Sequence, residues 1–450
     1  MSQPITTCDV SKGNLGPLKW AMVSMQGWRI DMEDDHIIFP DFTENIALFA
    51  VFDGHGGPEV ARIAAKLYPN FLKSNEYFIQ GDYQRALVSS FERFDLFMMS
   101  EEGKKVFKAN NTLKTDIELC AGCTAIVALV EKNWESTSEW NGSEVKMNAF
   151  KDLDLRQRAY KNWKDYSDSI KETVFNEKKQ KNLNKKKWKV WIANAGDCRA
   201  LLIQKNKKVF PLNEEHKPFD PRERKRIENA GGLIIKMRID ENLNLSRAMG
   251  DFHYKNNFSL PFDQQLIISK PDIYELVVDA DEHSYLFLGC DGVFEVLSDS
   301  DIGSQIYKNE KTRKEKANEI ESENEPSIID EIKEEIKKEE EVDFEKNEEL
   351  NNLEQENNED LQENQGESNS GESLKSSSVK NLENEKEEEI NVEAKNGKEE
   401  IEDKNEESQE INEMVENVKQ VLMRTVAKPG QITMGMGYDN MSAICVKLFV

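Results

Sequence analysis

Two apolar runs in this chain each stop at an Asp-Gly pair, and this feature most limits what the chain can fold into. The first run is LFAVFDGHGG at residues 48–57, and the second is FLGCDGVFEVLSD at 287–299. Each pattern predicts a buried strand that ends in a carboxylate and turns at once, because Asp-Gly is a turn signal. Such a strand end holds a carboxylate oxygen rigidly at the rim of an apolar core.

Two other segments also place an acid at a strand end. Asp197 lies between two apolar runs in KVWIANAGDCRALLI, and Asp439 precedes the last apolar run in GYDNMSAICVKLF. The segment WRIDMEDD at 28–35 adds Arg29 beside several acids. Any one of these patterns alone is most often an ordinary turn or a solvated surface. Together they indicate a site for a phosphate and for hard cations, because oxygen-only ligands favour Mg²⁺ or Mn²⁺ over Zn²⁺.

Nine short motifs follow one another along residues 20–450. They are MQGWRIDMEDDH, FAVFDGHGG, GCTAIVAL, ANAGDCRALL, EEHKP, NAGG, LNLSRAMGDFHYK, CDGVFEVLSD and GYDNMSAICV. In this order they resemble the motifs of the metal-dependent Ser/Thr protein phosphatases of type 2C, also called PPM-type phosphatases. The chain departs from that pattern at Cys123 and Cys198, where Ser or Thr is more usual, and at Met249, where Leu is usual. None of these three is an expected ligand, so an active enzyme is expected.

The resemblance implies a metal set of six residues, which are Glu33, Asp53, Gly54, Asp197, Asp291 and Asp439. It implies that Asp53 bridges two Mg²⁺ or Mn²⁺ ions, with help from the Gly54 carbonyl. Asp291 and Asp439 would complete the shell of one ion, and Glu33 would support the other mostly through waters. Asp197 would join Asp291 at a third, weaker ion.

Two residues are expected to act on the substrate. By the resemblance Arg29 binds the substrate phosphate, for which a planar bidentate guanidinium suits better than an ammonium group. His55 is the expected general acid for the departing Ser or Thr alkoxide, since histidine titrates in the useful range. Asp34 is expected just beyond direct coordination. For Asp251 two roles stay open, ordering the loop over the site or contacting water at the metal. The four other histidines are expected to be structural or at the surface.

The formal net charge is −26, and most of it lies in residues 311–410. That segment holds 36 acidic and 14 basic residues and a single aromatic, Phe344. It cannot bury enough apolar surface to offset chain entropy, so disorder is expected there. The excess negative charge argues against nucleic-acid binding. A basic run, KKQKNLNKKKWK at 178–189, stays open to two interpretations, a solvated loop or a docking patch for an acidic partner.

One phosphatase domain is expected over residues 20–450, interrupted by a partly basic insertion at 132–187 and an acidic disordered insertion at 309–411. Helices are expected in PEVARIAAKLYPNFL and in FDPRERKRIENAGG, the second closed by its glycine pair. The apolar pattern indicates an α/β sandwich. The resemblance implies its α+β form, a four-layer αββα sandwich with two central antiparallel β-sheets flanked by helices. Strands are expected at 37–39, 46–52, 124–130, 189–195, 199–203, 266–268, 285–289 and 441–449.

The function implied is metal-dependent hydrolysis of phosphoserine and phosphothreonine in proteins by an activated water. No covalent intermediate is expected, because the chain lacks a Cys-x₅-Arg signature. Two alternatives stay open: a catalytically inactive phosphatase-fold binding module, which the retained acids disfavour, and a hydrolase for a small phosphate ester.

The compartment and the partners are also expectations. The segment MSQPITTCDV has no apolar core of a signal peptide, and no apolar run reaches the roughly 20 residues of a membrane span. We expect a reducing compartment, cytoplasmic with the nucleus also open, and a monomer that meets phosphoprotein substrates. The spacing Cys120-Ala-Gly-Cys123 imitates a redox pair, but buried apolar cysteines are expected instead.

Overall fold

The computed structural model describes residues 3–110, 120–134, 187–205, 208–279, 284–308, 408–429 and 436–448. Fourteen strands lie in these ranges: β1 (Ile5–Leu15), β2 (Leu18–Gly27), β3 (Asp35–Phe39), β4 (Ile46–His55), β5 (Gly122–Trp134), β6 (Lys187–Ala195), β7 (Arg199–Gln204), β8 (Val209–Pro211), β9 (Ile234–Ile235), β10 (Arg238–Ile239), β11 (Met249–Gly250), β12 (Asp272–Asp279), β13 (Ser284–Gly289) and β14 (Met441–Leu448).

The helices of the described ranges are α1 (Glu59–Lys73), α2 (Glu76–Ile79), α3 (Tyr83–Met99), α4 (Glu101–Asn110), α5 (Pro221–Asn229), α6 (Asp291–Phe294), α7 (Asp299–Ile306) and α8 (408–425). The two helices expected from their apolar spacing are confirmed as α1 and α5. In the described part of the chain, no helix combines the length and the apolar character that crossing a bilayer requires.

Two antiparallel sheets form the centre of the fold. Sheet A has the strand order β1-β2-β14-β13-β7-β8, and sheet B has the order β12-β6-β5-β4-β3, with β11 beside β5. Every strand pair within the two sheets is antiparallel. The expectation of helices combined with antiparallel sheets is therefore confirmed.

Strand β4 shows how the sheets pack. Its side chains alternate between two cores, because successive residues of a strand point to opposite faces. Phe49 and Val51 pack with sheet A residues such as Phe287. Their neighbours Leu48 and Phe52 pack with α1 and α3. Burial on both faces explains the continuous apolar run of β4, and it favours a helix–sheet–sheet–helix order. The same core as sheet A's includes five residues of α8: Met414, Val415, Val418, Val421 and Leu422.

The strand expected at 266–268 is wrong. Ile268 makes only an isolated bridge with Arg247. Ile267 is instead buried in a small separate cluster with Ile227 and Ile239. Ile267 is therefore buried by packing against residues of α5 and β10, and not by a place in either sheet.

Most of both expected insertions lies outside the described residues, which leave out 135–186 and 309–407. The flanking elements fix where the acidic segment leaves and rejoins the fold. The Asn417 side chain on α8 donates to the Ile306 carbonyl of α7 at 2.9 Å. At the start of α8, the Glu410 carboxylate contacts Lys19 at 2.6 Å and also Lys447. Glu410 therefore belongs to the packed fold, although it falls within the expected insertion.

Candidate active site

Seven of the eight residues named from the sequence line one cleft of about 380 Å³: Arg29, Asp53, Gly54, His55, Asp197, Asp291 and Asp439. Asp53 lies in β4 and Asp197 in the turn from β6 to β7. Asp291 begins α6 directly after β13, and Asp439 precedes β14. The cleft therefore collects acids from strand ends of both sheets. Glu33 is adjacent, where its Oε1 accepts a hydrogen bond from the Gly57 amide at 2.8 Å.

The Asp-Gly pairs differ from the turns that the sequence predicts. Strand β4 continues through the first pair, since Gly54 pairs with Cys123 and His55 with Gly122. The chain leaves the sheet only at Gly56 and Gly57, both with positive φ. Gly54 and Gly292 are instead required by close packing. A Cβ at Gly54 would lie 2.3 Å from the Glu33 carbonyl oxygen, and one at Gly292 would lie 2.1 Å from the Asn440 carbonyl oxygen.

The loop that carries Arg29 and Glu33 is tied to Asp439 through Asn440. The Asn440 side-chain oxygen accepts from the Glu33 amide at 2.9 Å. Its nitrogen donates to the Gln26 carbonyl at 2.8 Å. Two segments more than 400 residues apart in sequence are thereby held together beside the cleft.

Burial and mutual repulsion disfavour the charged forms of the central acids. Burial raises the pKa of Asp53 well above its ordinary value, and the charge of Asp291 adds to that rise. The pKa of Asp291 is likewise raised well above its ordinary value, first by burial and then by Asp197. Clustered carboxylates of this kind are stabilised by a nearby cation, which favours the ionised form.

The donor atoms fit divalent cations. Among the described residues, two groups each bring three potential ligand atoms within 4.8 Å of one another. One group is Asp34, Asp53 and Cys290, and the other is Asp291, Glu295 and Asp439. The second group is composed entirely of carboxylates, which suit Mg²⁺ or Mn²⁺.

Arg29 lies at the rim of the cleft, with its side chain half exposed. Its Nη2 donates to Asp439 Oδ2 at 2.7 Å. Burial lowers the pKa of Arg29, but the hydrogen bond and the charge of Asp439 outweigh it, and the net shift is upward. Because the Arg29 guanidinium is hydrogen-bonded to Asp439, an expected metal ligand, it is well placed to bind an anion that enters the cleft.

His55 is paired with Asp251. The two are joined by a 2.7 Å contact between His55 Nε2 and Asp251 Oδ2, and Asp251 is buried. Burial lowers the pKa of His55, but the charge and hydrogen bond of Asp251 outweigh it, so the net shift is upward. Gly122 packs against this pair, and a Cβ there would lie 2.7 Å from Nε2. The sequence left two roles open for Asp251, and neither of them includes this contact with His55.

A buried ion pair holds the loop that carries Asp251. Asp95 on α3 accepts from the Gly250 amide at 2.8 Å and from Lys255 Nζ at 2.5 Å. Both side chains are fully buried. Asp251 itself has a left-handed backbone with φ of 53°, which is uncommon outside glycine. Helix α3 therefore fixes the strained residue that orients His55.

Three charged residues at or beside the cleft were missed from the sequence, namely Lys217, Arg238 and Glu295. Lys217 Nζ lies 2.6 Å from Asp197 Oδ2, and nothing local in EEHKP indicates this contact across 20 residues. Glu295 lies four residues after Asp291 in DGVFE, and spacing by four on a helix places both carboxylates on one face. This spacing of four residues is the sequence pattern from which Glu295 could have been predicted as a site residue. His216 is structural as expected, since Nδ1 accepts from the Gly196 amide at 3.2 Å.

The two cysteines of the CxxC-like segment, Cys120 and Cys123, have different environments. Cys123 is buried, as expected, and burial raises its pKa well above the ordinary value. Cys120 is exposed, so the expectation of burial is wrong for that residue. It lies in the turn before β5, outside the sheet that buries Cys123.

Comparison with known proteins agrees with the fold and the cleft. The family model described as protein phosphatase 2C matches residues 18–134 and 180–343. The chain is 33% identical over 306 residues to probable protein phosphatase 2C 2 of Paramecium tetraurelia, covering 68% of this chain and 83% of the relative. It is 30% identical over 308 residues to probable protein phosphatase 2C 60 of Arabidopsis thaliana, covering 68% and 80%. This chain belongs to the protein phosphatase 2C family.

Solved structures are also similar, among them a crystal structure of a phosphatase from a pathogenic strain of Toxoplasma gondii. It has 22% identity and a TM-score of 0.48, covering 68% of this chain and 86% of that one.

Proposed function

We propose that this chain hydrolyses phosphoserine and phosphothreonine in proteins, with Mg²⁺ or Mn²⁺ held by the acids of the cleft. The observation that carries the proposal is the convergence of Asp53, Asp197, Asp291 and Asp439 in one cleft with Arg29 and His55. Buried acids with raised pKa values and a guanidinium at the rim suit cations together with a phosphate. Membership in the protein phosphatase 2C family supports a protein substrate.

The residues that would hold the ions are Glu33, Asp53, Gly54, Asp291 and Asp439, and Asp197 would take part at a third, weaker ion. When bound, such ions neutralise phosphoryl oxygens and acidify a water. Lys217 already offers a positive charge to Asp197 at 2.6 Å. The ammonium group offsets charge at Asp197, which suits that position to the weakest of the ions.

Arg29 binds the phosphate. Its guanidinium is half exposed and its present partner, Asp439, is an expected metal ligand. A phosphate offers two oxygens to the planar fork, which a single carboxylate oxygen does not match. Arg29 therefore orients the phosphate, and its charge opposes the negative charge that develops during transfer.

His55 holds the proton that the leaving alkoxide needs. Its Nε2–H donates to Asp251, so the protonated ring has Nδ1–H as its second donor. Asp251 favours the protonated ring, and protonation of an alkoxide lowers the barrier to its departure. No step in this sequence uses a covalent intermediate on the protein.

The binding-module alternative has no support, because the acids are retained and lie in one cleft. A small phosphate ester as the natural substrate is disfavoured by the family, whose named members here are protein phosphatases.

Phosphate release from a phosphothreonine peptide tests the proposal, with Mn²⁺, with EDTA and with okadaic acid. We expect release that needs Mn²⁺, stops with EDTA and resists okadaic acid. Arg29→Ala should lose most activity, whereas Arg85→Ala should keep it, because the Arg85 side chain on α3 is 72% exposed and does not line the cleft. No turnover above buffer at saturating Mn²⁺ would refute the proposed function.

A further inference from the structure

A buried ion pair reaches His55 through a single peptide unit. Asp251 Oδ2 lies 2.7 Å from His55 Nε2. Asp251 follows Gly250 directly, and the Gly250 amide donates to Asp95 Oδ1 at 2.8 Å. Neither Asp95 nor its partner Lys255 is among the described residues that line the cleft. Any effect that the pair has on His55 by direct contact therefore passes through the Gly250 amide.

Two consecutive amides anchor the backbone at Asp251 to two different elements. The Asp251 amide donates to the Ala121 carbonyl, just before β5, at 2.9 Å. The Gly250 amide donates to Asp95 on α3. Asp251 has a left-handed backbone with φ of 53°, and a residue other than glycine holds that conformation only where its surroundings impose it. Without the Asp95 anchor, we expect this backbone to relax and to carry the Asp251 carboxylate away from His55.

Lys255 keeps Asp95 in place as this anchor. Its Nζ donates to Asp95 Oδ2 at 2.5 Å and to the Ala248 carbonyl at 2.7 Å. Burial raises the pKa of Asp95, and the charge and hydrogen bond of Lys255 oppose that rise. Lys255 therefore compensates the buried carboxylate and also ties it to the chain just before Gly250.

We propose that Asp95 and Lys255 are positioning residues for His55, and that they fix Asp251 where it aligns the imidazole ring with the leaving group. This role rests on the proposed function. As the bond between phosphorus and the leaving oxygen breaks, its electrons stay on that oxygen and the proton of His55 moves to it, while water supplies the oxygen that replaces it on phosphorus. A misplaced ring slows this transfer for an alkoxide, which needs the proton, more than for an aryl oxide, which leaves without it.

Two double variants of the full chain separate the anchor from the buried charges. Asp95→Asn with Lys255→Met removes both charges, and the side-chain oxygen at position 95 can still accept from the Gly250 amide. Asp95→Leu with Lys255→Met removes both charges and also removes the acceptor. Neither variant leaves one buried charge without its partner, which would itself destabilise the fold. Each is assayed with Mn²⁺ on a phosphothreonine peptide and on p-nitrophenyl phosphate.

The ratio of the two turnover rates is the measured result. In the variant with Asp95→Leu, kcat on the peptide should fall about tenfold or more with KM nearly unchanged, while kcat on p-nitrophenyl phosphate should fall about threefold or less. The variant with Asp95→Asn should keep the ratio of the parent. Ser90→Ala is the matched control on α3 and should also keep it, because Ser90 is fully buried but contacts Asn75 and not Gly250.

Equal slowing of both substrates in the variant with Asp95→Leu would overturn the positioning role, and so would the same change of ratio in Ser90→Ala. Circular dichroism establishes that each variant is folded, and Asp95→Ala with Lys255→Met takes the place of the variant with Asp95→Leu if that one is not. A parent protein that releases phosphate from neither substrate would refute the proposed function and this role with it. An active parent whose ratio stays constant without the acceptor would refute this role alone.

Discussion

Glu223→Gln tests the charge network that supports the cleft loop. Glu223 on α5 is 1% exposed, and its Oε1 accepts from Arg247 Nη2 at 2.7 Å. Its Oε2 accepts from Ser246 Oγ at 2.9 Å and also contacts Arg226. Burial raises the pKa of Glu223, but the charges of Arg247 and Arg226 outweigh it and hold the pKa well below the ordinary range. The substitution keeps the shape and removes the charge.

The size of the effect follows from what stays buried. Breaking a buried ion pair by removing one partner costs about 3–5 kcal/mol, because the other charge is left uncompensated. Arg247 retains Asp272 at 2.9 Å, so we expect the lower end, about 3 kcal/mol. The network also holds Ser246 and Arg247, which directly follow the cleft-lining residues 243–245, so peptide affinity should fall as well.

Urea unfolding at pH 7 measures the change in the free energy of unfolding. The matched control is Glu228→Gln on the same helix, where the side chain is 58% exposed and lies 3.9 Å from Arg224. An exposed pair of this kind contributes about 0.5 kcal/mol or less. If Glu223→Gln lost no more stability than Glu228→Gln, the network would not be supporting this part of the fold.

Four shorter predictions follow. Asp291→Asn should abolish most turnover by weakening Mn²⁺ binding, which calorimetry measures; tight Mn²⁺ binding in the variant would contradict its role as a ligand. His55→Ala should slow an alkyl phosphate far more than an aryl phosphate with a good leaving group, and equal slowing would contradict the general-acid role. Replacing 309–407 with about eight Gly/Ser residues should leave turnover on a small peptide near normal. Asn417 on α8 contacts Ile306, and residue 408 lies about 13 Å from Asn417 along α8, so a linker of this length can join residues 308 and 408. Loss of Mn²⁺ binding in that deletion would place the segment in the active domain. Stability should fall as the pH drops below about 4.5. The folded state lowers the pKa values of Glu223 and Asp272, so their ionised forms stabilise the fold at a pH above their ordinary pKa values, and this contribution is lost as they are protonated. A melting temperature that stays constant as the pH falls below about 4.5 would contradict this.

The deletion is set at 309–407 because the fold retains Glu410. Its carboxylate contacts Lys19 on β2 and Lys447 on β14. Removing 311–410 would therefore also break an anchor of α8. Lengthening a surface connection from about 10 to about 100 residues costs only about 2 kcal/mol in closure entropy, so the fold tolerates the natural segment.

The strands that could be predicted from the sequence are those whose apolar runs are buried on two faces. Strands β4, β5, β13 and β14 have this character, and their positions were predicted to within a few residues. Strand β1 was missed because it is a polar edge strand, mostly exposed, that forms by pairing with β2. Because its side chains are mostly exposed, β1 lacks the apolar pattern from which the other strands were predicted.

The acids of the site were predictable because each follows or precedes an apolar run. Their partners were not. Lys217, Asp251 and Asn440 gain their contacts only when segments far apart in sequence meet. Residues of both Asp-Gly pairs line the cleft, but Gly54 is required by the nearby Glu33 carbonyl and not by the turn that the sequence predicts.

The most direct measurement is a Mn²⁺ titration of the metal-free full chain, with bound Mn²⁺ followed by electron paramagnetic resonance. Phosphate release from a phosphothreonine peptide is measured on the same samples. We expect release to rise in parallel with bound Mn²⁺, and both to be lost in Asp53→Asn. Full release in excess EDTA, or Mn²⁺ binding unchanged in Asp53→Asn, would contradict a catalytic metal site built on these acids.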